Sequence, residues 1–246
     1  MGLIEKYKQF KKNRLERAVA KNLKTIQNPK AIREDRAAAI DFFKELEDAN
    51  VAVPSLLKRF DFSLEHGIND TREKESAMEG VLSFKEKALP FVQEHLIRTT
   101  RIAWPIKILE ALASSETTVS ALEACLDYGD VSFDQVRIDK NYDILCYLRD
   151  HDLHDKGKKL LHFAKDADER VRFASVEAIL KQQDPAVIKE LEYCLVDDSS
   201  ENTRIRQSLI DAYLEHKWTI QNKDSVPTGI LCPGVRVNLS HRLESV

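Results

Sequence analysis

Apolar residues recur along two parallel series. Phe43, Met78, Leu112, Leu145, Leu180 and Leu214 follow one another at intervals of 33 to 35 residues. Leu57, Val92, Leu126, Leu161 and Leu195 repeat at 34 or 35, each 14 to 16 positions behind its partner in the first series. Two apolar positions about four helical turns apart, returning at a fixed period, predict stacked two-helix repeats, each burying its apolar face against its neighbours. The expected fold is therefore all-α: an alpha-alpha superhelix of about five helix pairs with capping elements at both ends.

The elements follow from the same pattern. Leu3, Tyr7, Phe10, Leu15, Val19, Leu23 and Ile26 predict one helix over residues 2–26 as an N-terminal cap. The first pair is read as Ile32–Glu47 and Val53–Glu65, with Pro54 in a first turn and His66-Gly67 as the stop. Next come Thr71–Phe84 with Ala88–Thr99, then Ile102–Ser114 with Thr118–Tyr128. The last two pairs are Val136–Arg149 with Asp155–Lys165, and Arg170–Gln182 with Pro185–Val196, where Asp184-Pro185 supplies the N-cap and first helical position. A final unpaired helix covers Thr203–Trp218. Pro227, Gly229, Pro233 and Gly234 exclude a long helix in residues 219–246. Ile230, Leu231, Val235, Val237 and Leu239 predict instead a cap on the last helix, with a hairpin at Pro233-Gly234. The organisation is thus a cap over 1–26, repeats over 27–218 and an irregular cap over 219–246.

Composition narrows the function. With 43% hydrophobic and 32% charged residues, the chain can build a core and is not disordered by composition. A net charge of −3 carries no global signature of nucleic-acid binding, so nucleic acid is the less expected partner. The charge is uneven, however: the first 24 residues hold eight Lys and Arg against Glu5 and Glu16. Such a helix is either a solvated cap or a contact for an anionic membrane surface, and peripheral membrane contact through residues 1–26 is one expectation. No run is long and apolar enough to span a bilayer, no secretory h-region is visible, and Lys6 stands where a myristoylation motif requires Ser or Thr. Cys125, Cys146, Cys194 and Cys232 form no C-x-x-C pair and read as free thiols in a reducing compartment. A cytoplasmic location is expected.

Three repeats carry an aliphatic-Arg pair in register: Val136-Arg137, Val171-Arg172 and Ile205-Arg206. Acidic turns at Asp166–Glu169 and Asp197–Glu201 precede two of them. Each Arg can pair with the acidic turn of its own or a neighbouring repeat, a ladder that fixes repeat register. The stretch from Asp166 to Leu180, with Asp166, Val171, Arg172, Ala174 and Ala178, resembles the D-x-x-V-R-x-x-A pattern of HEAT-repeat proteins. Together with the segments Leu56–Phe62 and Ile102–Pro105 it is similar to a bacterial HEAT-repeat family without established activity. The resemblance covers about residues 30–218. It implies a superhelix that binds other macromolecules and names no catalytic residue. It also extends to HEAT-like nucleic-acid-binding proteins and DNA glycosylases, for which Trp104 is the candidate stacking platform.

No catalytic or cofactor motif occurs, and neither catalysis nor a cofactor is expected. His151, His154 and His162 lie near Asp150, Asp152 and Asp155 but lack metal-ligand spacing, so no metal site is predicted. Glu73, Glu75, Asp127, Asp130, Asp197 and Asp198 read as carboxylates of turns and exposed faces. The candidate binding surface is the face of the second helices. One residue past the second apolar series stand Lys58, Gln93, Asp127, His162 and Val196. Three residues before it come Glu123, Lys158 and Glu192. From this set Lys58, Gln93, Asp127, Lys158, His162 and Glu192 are the candidates for a mixed-charge groove that takes another protein or a peptide segment.

Overall fold

A computed structural model describes residues 3–129, 134–153, 156–197 and 199–246. Asp130, His154, Asp155 and Asp198, singled out above, lie outside the described residues. The fold is mainly helical, and the chain divides into two compact units, Met1–Ser114 and Ser115–Val246.

The first unit contains α1 (Leu3–Ile26), α2 (Arg33–Lys44), α3 (Ala49–Leu57), α4 (Gly67–Ser83), α5 (Leu89–Arg98) and α6 (Ala103–Leu112). In it α4 packs on both α2 and α6, while α3 packs on α5. Phe43, Leu56, Val81, Val92 and Leu109 are fully buried among these helices. Two predicted boundaries are corrected. Asp48 accepts the Asn50 N–H at 3.0 Å and starts α3 four residues early, so Pro54 falls inside the helix, which passes into a 3-10 turn over Lys58–Asp61. Gly67 does not stop a helix; it opens α4, with His66 at the N-cap. Gly80 is required by a close approach: a Cβ there would lie 2.7 Å from Lys44 Cγ and 2.9 Å from Leu56 Cδ1.

The second unit contains α7 (Ser115–Glu123), α8 (Gln135–Arg149), α9 (Gly157–Leu160), α10 (Glu169–Gln182), α11 (Pro185–Ile188) and α12 (Thr203–His216). Here α8, α10 and α12 form the row of first helices. The predicted long second helices are corrected to short ones: α9 is followed by a 3-10 turn over Phe163–Lys165, and α11 by a 3-10 stretch over Lys189–Leu195. The buried residues there, Val187, Ile188, Leu191, Glu192, Cys194 and Leu195, have a spacing that suits an α-helix equally well, so burial does not account for the tighter winding.

The tail forms an antiparallel meander of β1 (Gly229–Cys232), β2 (Val235–Val237) and β3 (Leu243–Ser245). Pro233-Gly234 makes the predicted hairpin turn, with Gly234 at φ +81°. Ile220, Val226, Val237 and Leu243 are buried, and β3 lies against α12. Ile230 and Leu239, expected to help anchor this cap, are instead 85% and 92% exposed. Ile230 sits on a strand whose side chains alternate between faces, and Leu239 lies in the turn between β2 and β3.

Of the predicted ladder one ion pair forms among the described residues, at Arg137; Arg172 and Arg206 are held by carbonyl and amide oxygens instead of by the carboxylates of the acidic turns. Arg137 Nη1 donates to Asp166 Oδ2 of the next repeat at 3.1 Å, and both side chains are buried rather than exposed. Arg172 donates to the Asp166 and Ala167 carbonyls, each at 2.9 Å, and to Asn202 Oδ1 of the next repeat at 3.1 Å. Arg206 donates to the Leu195 and Leu231 carbonyls, each at 2.9 Å, tying α12 to the tail. Arg36 is a fourth rung that the sequence did not reveal, because Asp35 precedes it. It donates to the Pro29 and Ala31 carbonyls of its own turn and to Glu73 of the next repeat.

Candidate functional site: a groove between α3 and α5

In the first unit, α3 and α5 leave a groove of about 530 Å³. Its apolar floor is Pro54, Leu57 and Phe91; its rim carries Lys58, Asp61, Glu94, His95 and Arg98. The α-helical period places Phe91, His95 and Arg98 on one face of α5, because they are spaced four and three apart. Pro54 and Leu57 share a face of α3 for the same reason, and Lys58 opens the 3-10 turn that follows.

Asp61 organises the rim. Its carboxylate lies 3.3 Å from Lys58 Nζ and 3.3 Å from His95 Nε2, and it accepts from Thr99 Oγ1 at 3.4 Å. Glu94 and Arg98 pair across one turn of α5 at 2.6 Å and are both well exposed. Behind the rim the polar contacts continue inward. The Arg101 N–H donates to Thr99 Oγ1 at 3.1 Å, and Arg101 Nη1 donates to Ser63 Oγ at 3.1 Å. Lys74 Nζ donates to Ser63 Oγ at 3.2 Å and pairs with Asp70 at 2.7 Å. Arg59 is fully buried and holds Asp70 at 2.7 Å and Glu73 at 2.8 Å, while Arg36 reaches Glu73 at 3.0 Å. Glu73 is therefore not the exposed carboxylate the sequence suggested; it joins two arginines in the interior. Burial pushes the Asp70 carboxyl upward, but hydrogen bonds from Lys74, Arg59 and the Leu64 N–H outweigh it and leave the pKa below the ordinary value. A network in which three cations meet two carboxylates fixes the backbone that carries the groove.

The sequence-predicted residues divide. Lys58 lines the groove; Gln93, half-buried on α5, does not. In the second unit His162 is exposed, with its ring 5.2 Å from that of Tyr128, and lines another cavity of about 540 Å³ with Arg137, Lys165 and Asp166. Lys158 is exposed. The Asp127 side chain accepts from the Gly129 N–H at 2.8 Å, closing its own turn. Glu123 accepts from Lys159 at 2.9 Å. Val196 is exposed. Glu192 is a correction. It is completely buried and accepts from Tyr213 Oη at 2.7 Å, the Gln221 N–H at 2.8 Å and the Asn222 N–H at 2.6 Å. It fastens the tail and offers no surface to a partner. Of the groove residues, Phe91, His95 and Arg98 escaped the sequence reading, although their common helical face was the available signal.

Trp104 is half-buried, stacked on Phe60 at 6.0 Å with Lys107 Nζ 4.7 Å from its centroid. Among the described residues, no group of three His, Cys, Asp or Glu could hold a metal ion, and no helix is long and apolar enough to cross a membrane. His151, from the candidate metal cluster, stacks on Tyr147 at 4.2 Å. Comparison with protein-family models, curated proteins and solved structures finds no match to the chain.

Proposed function

We propose that the chain is a HEAT-type repeat module that binds a peptide or protein segment along the face of its second helices, without turning a substrate over. The observation that carries this reading is the α3–α5 groove: apolar Pro54, Leu57 and Phe91 below, charged Lys58, Glu94 and Arg98 at the rim. An apolar floor supplies the burial that drives association, and a rim of both signs selects register and partner. Within each unit the packing of α4 on α2 and α6, and of α10 on α8 and α12, supports the reading as a repeat array, whose natural product is an extended surface.

Panning a peptide library against the full chain and measuring selected peptides by calorimetry tests the reading. Replacing Phe91 with Ala and Arg98 with Glu together is expected to weaken selected peptides at least about tenfold, or about 1.4 kcal/mol. His162→Ala, in the second unit, is expected to leave them unchanged. Failure to select any peptide, or equal affinity for wild type and the groove variant, overturns it.

A further inference from the structure

The sequence treats α1 as a single cap, but only its last third behaves as one. Ile26 is buried and Ala18, Val19, Asn22 and Leu23 are half-buried where α1 meets α2 and α3. Residues 5–17 are exposed on every side, with Tyr7 at 60% and Phe10 at 65%. These two aromatic residues do not continue the packed stripe. At about 100° per residue, the line through Tyr7 and Phe10 is turned by more than about 100° from the face of Val19, Leu23 and Ile26. A helix serving only to cover the first repeat has no use for a second apolar line on another face.

Charge is sorted about that line. Lys6, Lys11, Arg14, Arg17, Lys21 and Lys24 all project within about 70° of it with no acid among them, while Glu5 and Glu16 project to the opposite side, beside Lys8 and Lys12, about 130° or more away. Lys11 Nζ lies 5.1 Å from the Tyr7 ring centroid. Two aromatic rings on a face whose charges are all cationic, with the acids confined to the other side, make the polarity an interfacial helix needs: rings at the headgroup boundary and long basic side chains reaching the phosphates. The exposed turns also lack tertiary support, and an isolated helical stretch of that length is marginal in water, so a surface that covers one face stabilises it.

We infer that the outer turns of α1 lay the Tyr7–Phe10 face onto an anionic lipid surface, holding the chain at a membrane without spanning it. The inference does not depend on what the α3–α5 groove binds.

Co-flotation of the full chain with vesicles tests it, using either phosphatidylcholine alone or equal parts phosphatidylserine and phosphatidylcholine. Binding is expected only with the anionic vesicles, and it should fall as salt rises. Exchanging Tyr7 and Phe10 for Ser, or Arg14 and Arg17 for Glu, should each reduce it at least about tenfold, with circular dichroism and peptide binding at the groove unchanged. No flotation, equal flotation with neutral lipid, or insensitivity to both exchanges overturns the inference. So does binding of an oligonucleotide in place of vesicles, which would assign the basic face to nucleic acid.

Discussion

Glu192 reads as solvent-facing when only its neighbours in sequence are considered, yet it holds the second unit to its tail. Its three donors come from residues 21 to 30 positions later, on α12 and in the turn beyond it, so no local pattern announces them. Removing the carboxylate strands two backbone N–H groups and a buried hydroxyl. Burial, and after it the Glu192 hydrogen bond, raises the Tyr213 phenol pKa well above its ordinary value, so Tyr213 remains a donor throughout the working range. Glu192→Ala is expected to destabilise the chain by about 3 kcal/mol or more, read from the denaturant midpoint. Glu192→Gln should cost less, because the amide oxygen still accepts. Near-neutral behaviour of the alanine variant would contradict the role given to these contacts.

Among elements, the sequence places the long helices of the second unit best. Helices α8, α10 and α12 fall within one or two residues of their expected bounds, and Asp134 and Asp168 cap the first two by accepting N–H groups of the first turn. The second helices of the second unit fare worse: α9 and α11 are each followed by a 3-10 segment that apolar spacing does not distinguish from α-helix. Gly80 is another decision made by packing. By propensity, Ala in its place should favour α4 by about 0.5–1 kcal/mol. The Leu56 and Lys44 side chains occupy the space its Cβ needs, and Leu56 is itself buried with little room to move. Gly80→Ala is therefore expected to lower stability by about 1–3 kcal/mol in spite of propensity. A melting point at or above wild type would show that α4 shifts freely against α2 and α3.

At the scale of the whole molecule, charge sets how the fold answers to acid. In the first unit Asp70 carries a pKa below its ordinary value, and protonating it leaves Arg59 and Lys74 facing each other inside. A depressed carboxylate pKa contributes stability that is complete above the unfolded value of about 3.9 and is lost as pH falls through the lower folded value. Acid unfolding is expected to steepen below about pH 4, and Asp70→Asn should flatten that dependence while lowering stability at neutral pH. Unfolding midpoints measured from pH 7 downward decide this; parallel pH profiles for the two chains would remove Asp70 from the account.

By itself, the sequence determined the helical class, the hairpin at Pro233-Gly234 and the ion pair of Arg137 with the Asp166 turn. All of these rest on period, breaker residues or fixed spacing, which are properties of neighbouring positions. Tertiary structure alone decided which polar residues are buried, because Glu73 and Glu192 find their cations and donors across helices. It decided which apolar residues remain bare, because a helix or strand meets its neighbours on one face only, leaving Tyr7, Phe10 and Ile230 outside. The groove is legible in part: Lys58 follows from the repeat register, but its floor forms only when α3 and α5 are brought side by side.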